Sequence, residues 1–461
     1  MNKSLFGKPP IAELAKIERA RAQLDSLCFE HLKLLLGSFI PLFLLDFRAA
    51  SGSNSRTRIF SPMITFWAFL GQVLDPDAPC RKALAHVQVL FASQGLSIPS
   101  SDTAAYCRAR LRIPVAFLYR IHDFLACRLT AAQEARTLLV DGTTIVLPDT
   151  PNNQRFFPQS RSQKRGCGFP LMKLVGLFDL KTGAWIAVAR GNKHISEIRL
   201  MRRLFRHLRP GDTLVADRGF CSYAMICELQ KRGVDVILRN HQARKTDFRK
   251  GRRLGKKDHL ILLERPKGKA TARLPEELVL REVTVSQGRK GFRTREVTLV
   301  TTILGLEEMS REELGRIYLQ RWRVELFFDD IKTTMHMEMM RTKSRAMVHR
   351  ELLMHMIAYN LVRVLIMRSD ADAERASYKG TVDRINVWGR AIWSAAGGAK
   401  AKTARLIEAM MSTIVEDEVP NRPGRLEPRV KKRRPKPYQN LTKPRDQMKE
   451  TPHRNAYRKA A

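Results

Sequence analysis

From Glu312 to Met337 the chain reads EELGRIYLQRWRVELFFDDIKTTMHM, with apolar residues recurring at helical spacing. Projected at 3.6 residues per turn, Ile317, Val324, Phe328 and Ile331 form one stripe, which predicts a single long helix with that stripe in the core. Directly beside it, Tyr318, Arg321, Glu325 and Lys332 fall within an arc of about 60°, with Asp329 and Trp322 at its edge. A solvated face mixes acids and bases at i,i+4 for weak mutual support. A polar row that borders a buried stripe and contains aromatics suits the wall of a groove as well as it suits open surface, so the choice rests on the rest of the chain.

Upstream the period changes. Thr137 to Asp141 (TLLVD) and Thr213 to Asp217 (TLVAD) are short, continuous apolar runs that suit buried strands, and each closes on a carboxylate. Leu171–Phe178 and Ala184–Ala189 read as a hairpin joined at Lys181-Thr182-Gly183. Ser196 and Glu197 start a helix through Leu208, Tyr223–Lys231 is a second helix, and Val234–Leu238 is a further strand. This order predicts a mixed α/β sheet, in which chemistry collects at strand ends, and Asp141 and Asp217 are the candidates. Between them runs a polar loop, Pro148 to Phe169, with Arg155, Arg161, Lys164 and Arg165. From His241 a basic run, ARKTDFRKGRRLGKK, leads to strand-like segments at Leu260–Leu263, Leu278–Val285 and Glu296–Thr302, which predict a β-rich insertion before the long helix.

The flanks read as helical. Apolar residues keep helical spacing from Ile11 to Leu35, from Trp67 to Phe91, and again from Met347 to Met367. Ser101 and Asp102 can cap a helix carrying Arg108, Arg110 and Arg112, and Pro114 opens another through Phe124. Short helices bearing arginine suit a DNA groove or the basic surface of a bundle. The expected domains are a helical DNA-binding region at 1–130, a first core segment at 131–240, the insertion at 241–304, a second core segment with the glutamate-bearing helix at 305–368, and a C-terminal helical region with a basic tail at 369–461. His336, His349 and His355 read as packing or surface residues, and Met335, Met337, Met339 and Met340 as core fill.

Charge narrows the partner. The 461 residues carry 83 Lys and Arg against 45 Asp and Glu, a net +38, while 44% hydrophobic content excludes a disordered basic chain. Such an excess asks for a polyanion, and duplex DNA rewards it through counterion release; RNA and anionic membrane surface satisfy charge alone equally well. From Asn421 onward the tail holds 14 Lys and Arg against 3 acids, a block for phosphate or for solubility. The seven cysteines are scattered without a CxxC pair, which speaks against a disulfide framework or structural zinc and for a reducing compartment. With no signal-like start and no apolar run that spans a bilayer, a soluble, intracellular protein without membrane contact is expected.

Two strand-terminal aspartates and one helical glutamate, Glu325, can converge in a basic cleft. Three adjacent carboxylates repel unless cations lie among them, and hard divalent ions such as Mg²⁺ accept such oxygen ligands while keeping positions open for phosphate and water. Two ions about 4 Å apart can stabilise both oxygens of an in-line displacement at phosphorus. In that reading Asp141, Asp217 and Glu325 are catalytic metal ligands, and Tyr318, Arg321 and Lys332 bind DNA phosphates.

These residues carry a resemblance. Tyr318, Arg321, Glu325 and Lys332 match the motif Tyr, two residues, Arg, three residues, Glu, six residues, Lys, and they follow LLVDGT at Asp141 and VADRGF at Asp217-Arg218. Over about residues 100 to 366 the chain resembles bacterial insertion-sequence DDE transposases of the IS4 and Tn5-like class. The resemblance implies a ribonuclease-H-like catalytic domain with a β-rich insertion, and Arg218 as a further phosphate-binding residue. It also implies two Mg²⁺ ions, replaceable by Mn²⁺, hydrolysis at the transposon's terminal inverted repeats, attack of the freed 3′-hydroxyl on target DNA, and a homodimeric synapse on double-stranded DNA. A metal-dependent nuclease without strand transfer, or a non-catalytic DNA-binding repressor, are the alternatives. One departure stands out: related cut-and-paste enzymes carry a Trp in the last insertion strand to receive a flipped base, and this chain has Val297 there, with no Trp between Trp185 and Trp322.

Overall fold

The computed structural model describes Arg19 and residues 59–75, 79–161, 168–268, 271–286, 296–396 and 400–420. The helix expected from Ile11 to Leu35, Lys164 and Arg165 of the polar loop, the turn around Gly288 and Gly291, and the basic tail lie outside the described residues. The chain divides into a helical unit and a sheet unit.

The helical unit opens with α1 (Pro62–Leu74) and α2 (Cys80–Ser93), so the apolar pattern from Trp67 to Phe91 is two helices and not one. Ser61 starts α1 by accepting the Ile64 N–H at 3.1 Å, with Pro62 in the first turn, where its missing N–H costs nothing. Next come α3 (Ala104–Arg112) and α4 (Val115–Leu129). Arg108 and Arg112 are exposed on α3, but Arg110 is buried, because its guanidinium packs over the Phe69 and Tyr106 rings at 5.1 Å each. It is therefore withdrawn from any groove that α3 could enter.

In the sheet unit nine strands form one sheet: β1 (Thr137–Val146), β2 (Leu171–Asp179), β3 (Trp185–Asn192), β4 (Thr213–Ala216), β5 (Asp235–Arg239), β6 (Arg252–Gly255), β7 (Asp258–Glu264), β8 (Glu277–Ser286) and β9 (Glu296–Thr301). Their order is β3-β2-β1-β4-β5-β9-β8-β7-β6. The antiparallel β2 and β3 lead into parallel β1, β4 and β5, which is the ribonuclease-H-like arrangement expected from the sequence. β9 pairs antiparallel with β5, Ile237 opposite Thr301, so the insertion prolongs the core sheet. Strand β6 comes out of the basic run, where RRLG gives no alternation to read.

β1 does not end at Asp141. It continues to Val146 because β2 pairs with it from Leu138↔Asp179 to Val146↔Leu171. Its parallel partner β4 pairs only as far as Leu139↔Val215, so Asp141 stands where β1 loses one neighbour, which leaves that side of the strand open. Short helices connect the strands: α5 (Pro151–Phe156) in the polar loop, α6 (Glu197–Arg202) after β3, and α7 (Tyr223–Gln230) between β4 and β5.

The expected long helix is a helical rod in four parts. α8 (Arg311–Leu319) starts from a complete capping box between Ser310 and Glu313, a tighter 3₁₀ turn spans Gln320–Trp322, α9 (Arg323–Asp329) follows, and a wider π turn occupies Asp330–Thr334. At three residues per turn, positions i and i+3 eclipse, so the tight turn stacks Arg321 on Tyr318, and both are buried. The inward face is Leu314, Tyr318, Arg321, Val324, Phe327, Phe328 and Ile331, while Ile317 is half-buried. The projected polar row thus enters the core at its first two members and emerges at Glu325.

After the rod, α10 (Arg345–Arg368), α11 (Tyr378–Ala396) and α12 (Lys400–Glu416) belong to the helical unit. α10 packs on α1 and α3, and Arg363 lies over the stacked Tyr359 and Tyr378 rings at 5.2 and 5.1 Å. Among the described residues no helix is long and apolar enough to cross a membrane.

Candidate active site

Register brings three charged groups to one level of the sheet. Thr137 pairs with Thr213 across β1 and β4, and Thr213 with Asp235 across β4 and β5. Four residues further along each chain stand Asp141, Asp217 and Arg239. Side chains alternate with period two, so residues at equal steps along parallel strands share a face. Arg239 Nη1 lies 3.9 Å from Asp217 Oδ1, an ion pair too long for a hydrogen bond.

The helical rod is fixed onto this face through Phe328. Gly176 of β2, directly opposite Asp141, leaves the space that the ring fills: a Cβ there would lie 3.0 Å from Phe328 Cζ and 2.7 Å from Phe178 Cε2. Phe178 in turn meets the rings of Phe327, Phe328 and Trp185 with centroids 5.2–5.5 Å apart. Arg323 Nη1 donates to the Leu180 carbonyl at 2.9 Å. Anchored in this way, the rod delivers Arg321 to the sheet.

Buried Arg321 holds Asp141 Oδ2 at 3.8 Å and Glu325 Oε1 at 3.4 Å, with the Trp322 ring 4.8 Å from its carbon. Two of the three carboxylates are thus drawn to one guanidinium, and the third stands level with Asp141 on the neighbouring strand. Asp141 Oδ1 also accepts the Gly142 N–H at 2.7 Å. Burial pushes the Asp141 carboxyl above its ordinary value, and the charges of Glu325 and Glu197 act in the same direction; the Gly142 N–H and Arg321 pull it back. Tyr318 is pushed up to about 12, mainly by burial, with Asp217 adding to the rise and Arg321 and Arg239 opposing it. Its phenol stays protonated and remains a hydrogen-bond donor. Lys332 is half-buried in the π turn, and Arg218 is exposed directly after Asp217.

Glu197 and Arg239 belong to this site without having been singled out in the sequence. Glu197, at the start of α6, lays its carboxylate over Gly142, 2.7 Å from where a Cβ would be. Lys173 stands 3.9 Å from the same carboxylate. Nothing in the one-dimensional pattern marks Glu197 beyond a helix start, whereas Arg239 could have been found by counting four residues along a third parallel strand.

The histidines do not join the site. His355 is buried and burial lowers its imidazole to about 4, so it is neutral, while His349 pairs with Tyr119 Oη at 3.0 Å in the helical unit. Met335, Met337 and Met340 are buried, as core fill should be, whereas Met339 is half-buried. Val297 faces inward at 4% exposure, opposite Val285.

Hard carboxylate oxygens are the right donors for a divalent cation. Asp217 Oδ1 is buried without a hydrogen-bond partner, and Asp141 is desolvated; both are conditions that a cation relieves. Among the described residues no three His, Cys, Asp or Glu side chains stand close enough to hold one ion together. The carboxylates thus suit a divalent cation by their chemistry, and as they stand they do not form a three-ligand cage.

Comparison with known proteins accords with this geometry. Residues 132–361 match the family model described as a transposase DDE domain. The chain is also 25% identical to the transposase InsG of insertion sequence element IS4 from Escherichia coli (strain K12), over 88% of this chain and 94% of that one. The chain belongs to the DDE transposases. A piggyBac transposase, solved by cryo-EM as a synaptic complex with hairpin DNA, is similar with a TM-score of 0.40 and 10% identity, covering 86% of each chain. As a DDE transposase the protein is an enzyme that acts on DNA and depends on divalent metal.

Proposed function

We propose that this transposase binds the terminal inverted repeats of its own insertion sequence as a homodimer, hydrolyses the phosphodiester at each end, and joins the 3′-hydroxyls to target DNA. The observation that carries this reading is the attraction of Asp141 and Glu325 to one buried arginine beside a sheet level that also bears Asp217. Asp141, Asp217 and Glu325 would hold two Mg²⁺ ions, with Asp141 common to both. The ions supply positive charge to the reacting phosphate and lower the pKa of the attacking water or hydroxyl.

The chain's own groups do the rest. Tyr318, protonated at any physiological pH, donates its O–H to a phosphate oxygen. Arg321, loosely held by two carboxylates, turns its guanidinium to phosphate, and Lys332 and Arg218 flank the scissile bond. Burial of Tyr318 and Arg321 limits water on the rod side of the site. The helical region before residue 130 and the basic tail contribute nonspecific affinity through the net charge of +38.

The test is the purified protein with linear DNA carrying its own ends, target plasmid and Mg²⁺. Cleavage at the ends followed by joining is expected. Asp141→Asn, Asp217→Asn and Glu325→Gln should each lower cleavage by about 10³-fold or more, the equivalent of roughly 4 kcal/mol of transition-state stabilisation, while end binding in gel shifts stays near wild type. Cleavage retained in any of the three would remove that residue from the ligand set. Cutting without joining would make the protein a nuclease, and binding without cutting a repressor.

A further inference from the structure

The helical unit contains a buried arginine whose nearest acidic partners are sulfurs. Arg110 donates from Nη2 to Cys80 Sγ at 3.2 Å and to Cys107 Sγ at 3.6 Å, and from Nη1 to Gln72 Oε1 at 3.2 Å. Gln72 is oriented by the Tyr106 hydroxyl at 2.7 Å and donates its amide to Cys80 Sγ at 3.7 Å. The two sulfurs share a hydrogen bond at 3.8 Å, and both cysteines are half-buried. Cys80 is the first residue of α2, a 14-residue helix whose N-cap Pro79 provides no side-chain cap, and Cys107 lies within α3. Such a guanidinium stays charged, so burying it at 6% exposure favours negative charge on whatever it touches.

We propose that Cys80 and Cys107 form a peroxide-oxidisable dithiol that closes to a reversible disulfide, with Arg110 as the group that activates it. Arg110 donates to both sulfurs and so favours a thiolate at either one. That thiolate attacks one peroxide oxygen, the O–O bond breaks and hydroxide leaves, giving a sulfenic acid. The other cysteine of the pair then attacks that sulfur, the S–O bond breaks, and the departing hydroxide takes its thiol proton as water. Two electrons pass from the two sulfurs to one peroxide. The sulfurs must close from 3.8 Å to about 2 Å to bond. The product ties the start of α2 to α3 and leaves Arg110 with Gln72, two aromatic faces and the more distant charge of Glu351. A reducing compartment keeps the pair open at rest, and oxidative stress closes it.

The experiment is graded hydrogen peroxide on the full-length protein, capping of free thiols with N-ethylmaleimide, and peptide mass spectrometry. A Cys80–Cys107 linked pair, two hydrogens lighter than the thiols, should form at lower peroxide than any change at the exposed Cys127, and dithiothreitol should reverse it. Of the single variants Cys80→Ser and Cys107→Ser, at least one should leave a sulfenic acid on the remaining cysteine that dimedone traps, and Arg110→Gln should slow oxidation about tenfold. Because Arg110→Gln could also loosen the unit, the dimedone trapping stands as the independent readout. Oxidation of Cys127 at the same rate as the pair, or no dimedone adduct on the remaining cysteine in either variant, would overturn the proposal.

Discussion

Arg281 and Arg321 are both guanidiniums buried in the sheet unit, and they differ in how completely they are partnered. Arg281, on β8 of the insertion, grips Asp258 with two hydrogen bonds of 2.9 and 2.7 Å and donates to the Gly305 and Met309 carbonyls at 3.2 and 2.7 Å. Arg321 faces two carboxylates, but at 3.8 and 3.4 Å, and beside them lie the Trp322 indole and the Tyr318 phenol. The first is a closed clamp that fixes the β7–β8 hairpin to the loop leading into α8. The second holds charge in place without consuming it, and can exchange a carboxylate for a phosphate. Burial of a charge is common to both; incomplete pairing is what marks a place reserved for a ligand.

The largest effect that this contrast predicts is on stability in the insertion. Asp258→Ala removes both carboxylate contacts of Arg281 at 0% side-chain exposure and should cost about 3–5 kcal/mol in urea unfolding, because the guanidinium is left buried and charged. Removing either carboxylate partner of Arg321 should cost far less. If Asp258→Ala loses under about 1 kcal/mol, tight pairing is not the structural signature taken here.

Much of this was legible beforehand for a physical reason. Apolar runs and helix starts are local, so β1, the hairpin β2–β3, β4, α7 and β5 stand close to where the pattern put them. Asp141 and Asp217 were readable as candidates because each closes a short apolar run, and the Thr137–Thr213 pairing sets them at equal offsets. Partnership was not readable. Arg110 and Arg321 are each one basic residue on a basic chain, and only packing shows that one lies among sulfurs and the other among carboxylates. The rod's tight turn was missed because Tyr318 and Arg321 fit an α-helical arc and a 3₁₀ stack equally well, and the extension of β1 beyond Asp141 was missed because GTTIV is polar at its start and pairs on one side only.

A middle-sized effect separates Arg321 from the carboxylates it holds. Arg321→Ala should lower end cleavage by about 10- to 100-fold, roughly 1.4–2.7 kcal/mol, against the much larger loss for Glu325→Gln. Arg321→Lys should recover part of it, since an ammonium restores charge but not the fork. Measured single-turnover cleavage rates decide the matter: a loss as complete as that of the carboxylate variants would make Arg321 part of the reacting centre, and no loss would make it a packing residue.

The smallest effect has a sign that can be worked out. Burial raises the folded Asp141 carboxyl above its ordinary 3.8, so the folded state binds that proton more tightly than the unfolded chain does. Its favourable contribution is complete below the unfolded pKa and is lost as pH rises through the folded one; at neutral pH the ionised group is a net burden. Asp141→Asn should therefore be more stable than wild type at pH 7 in EDTA, by about 0.5–2 kcal/mol, as is common where a functional site gives up stability. The difference should shrink towards zero on acidification to pH 3–4. Mg²⁺ should reverse the order, because a cation that binds the ionised carboxylate stabilises wild type by about 2.7 kcal/mol at hundredfold excess over its Kd and leaves the variant behind. Melting curves at four pH values with and without Mg²⁺ suffice. An asparagine variant less stable than wild type in EDTA at pH 7 would mean that Arg321 already neutralises Asp141 in full, and the two arginines would then differ in bond length alone.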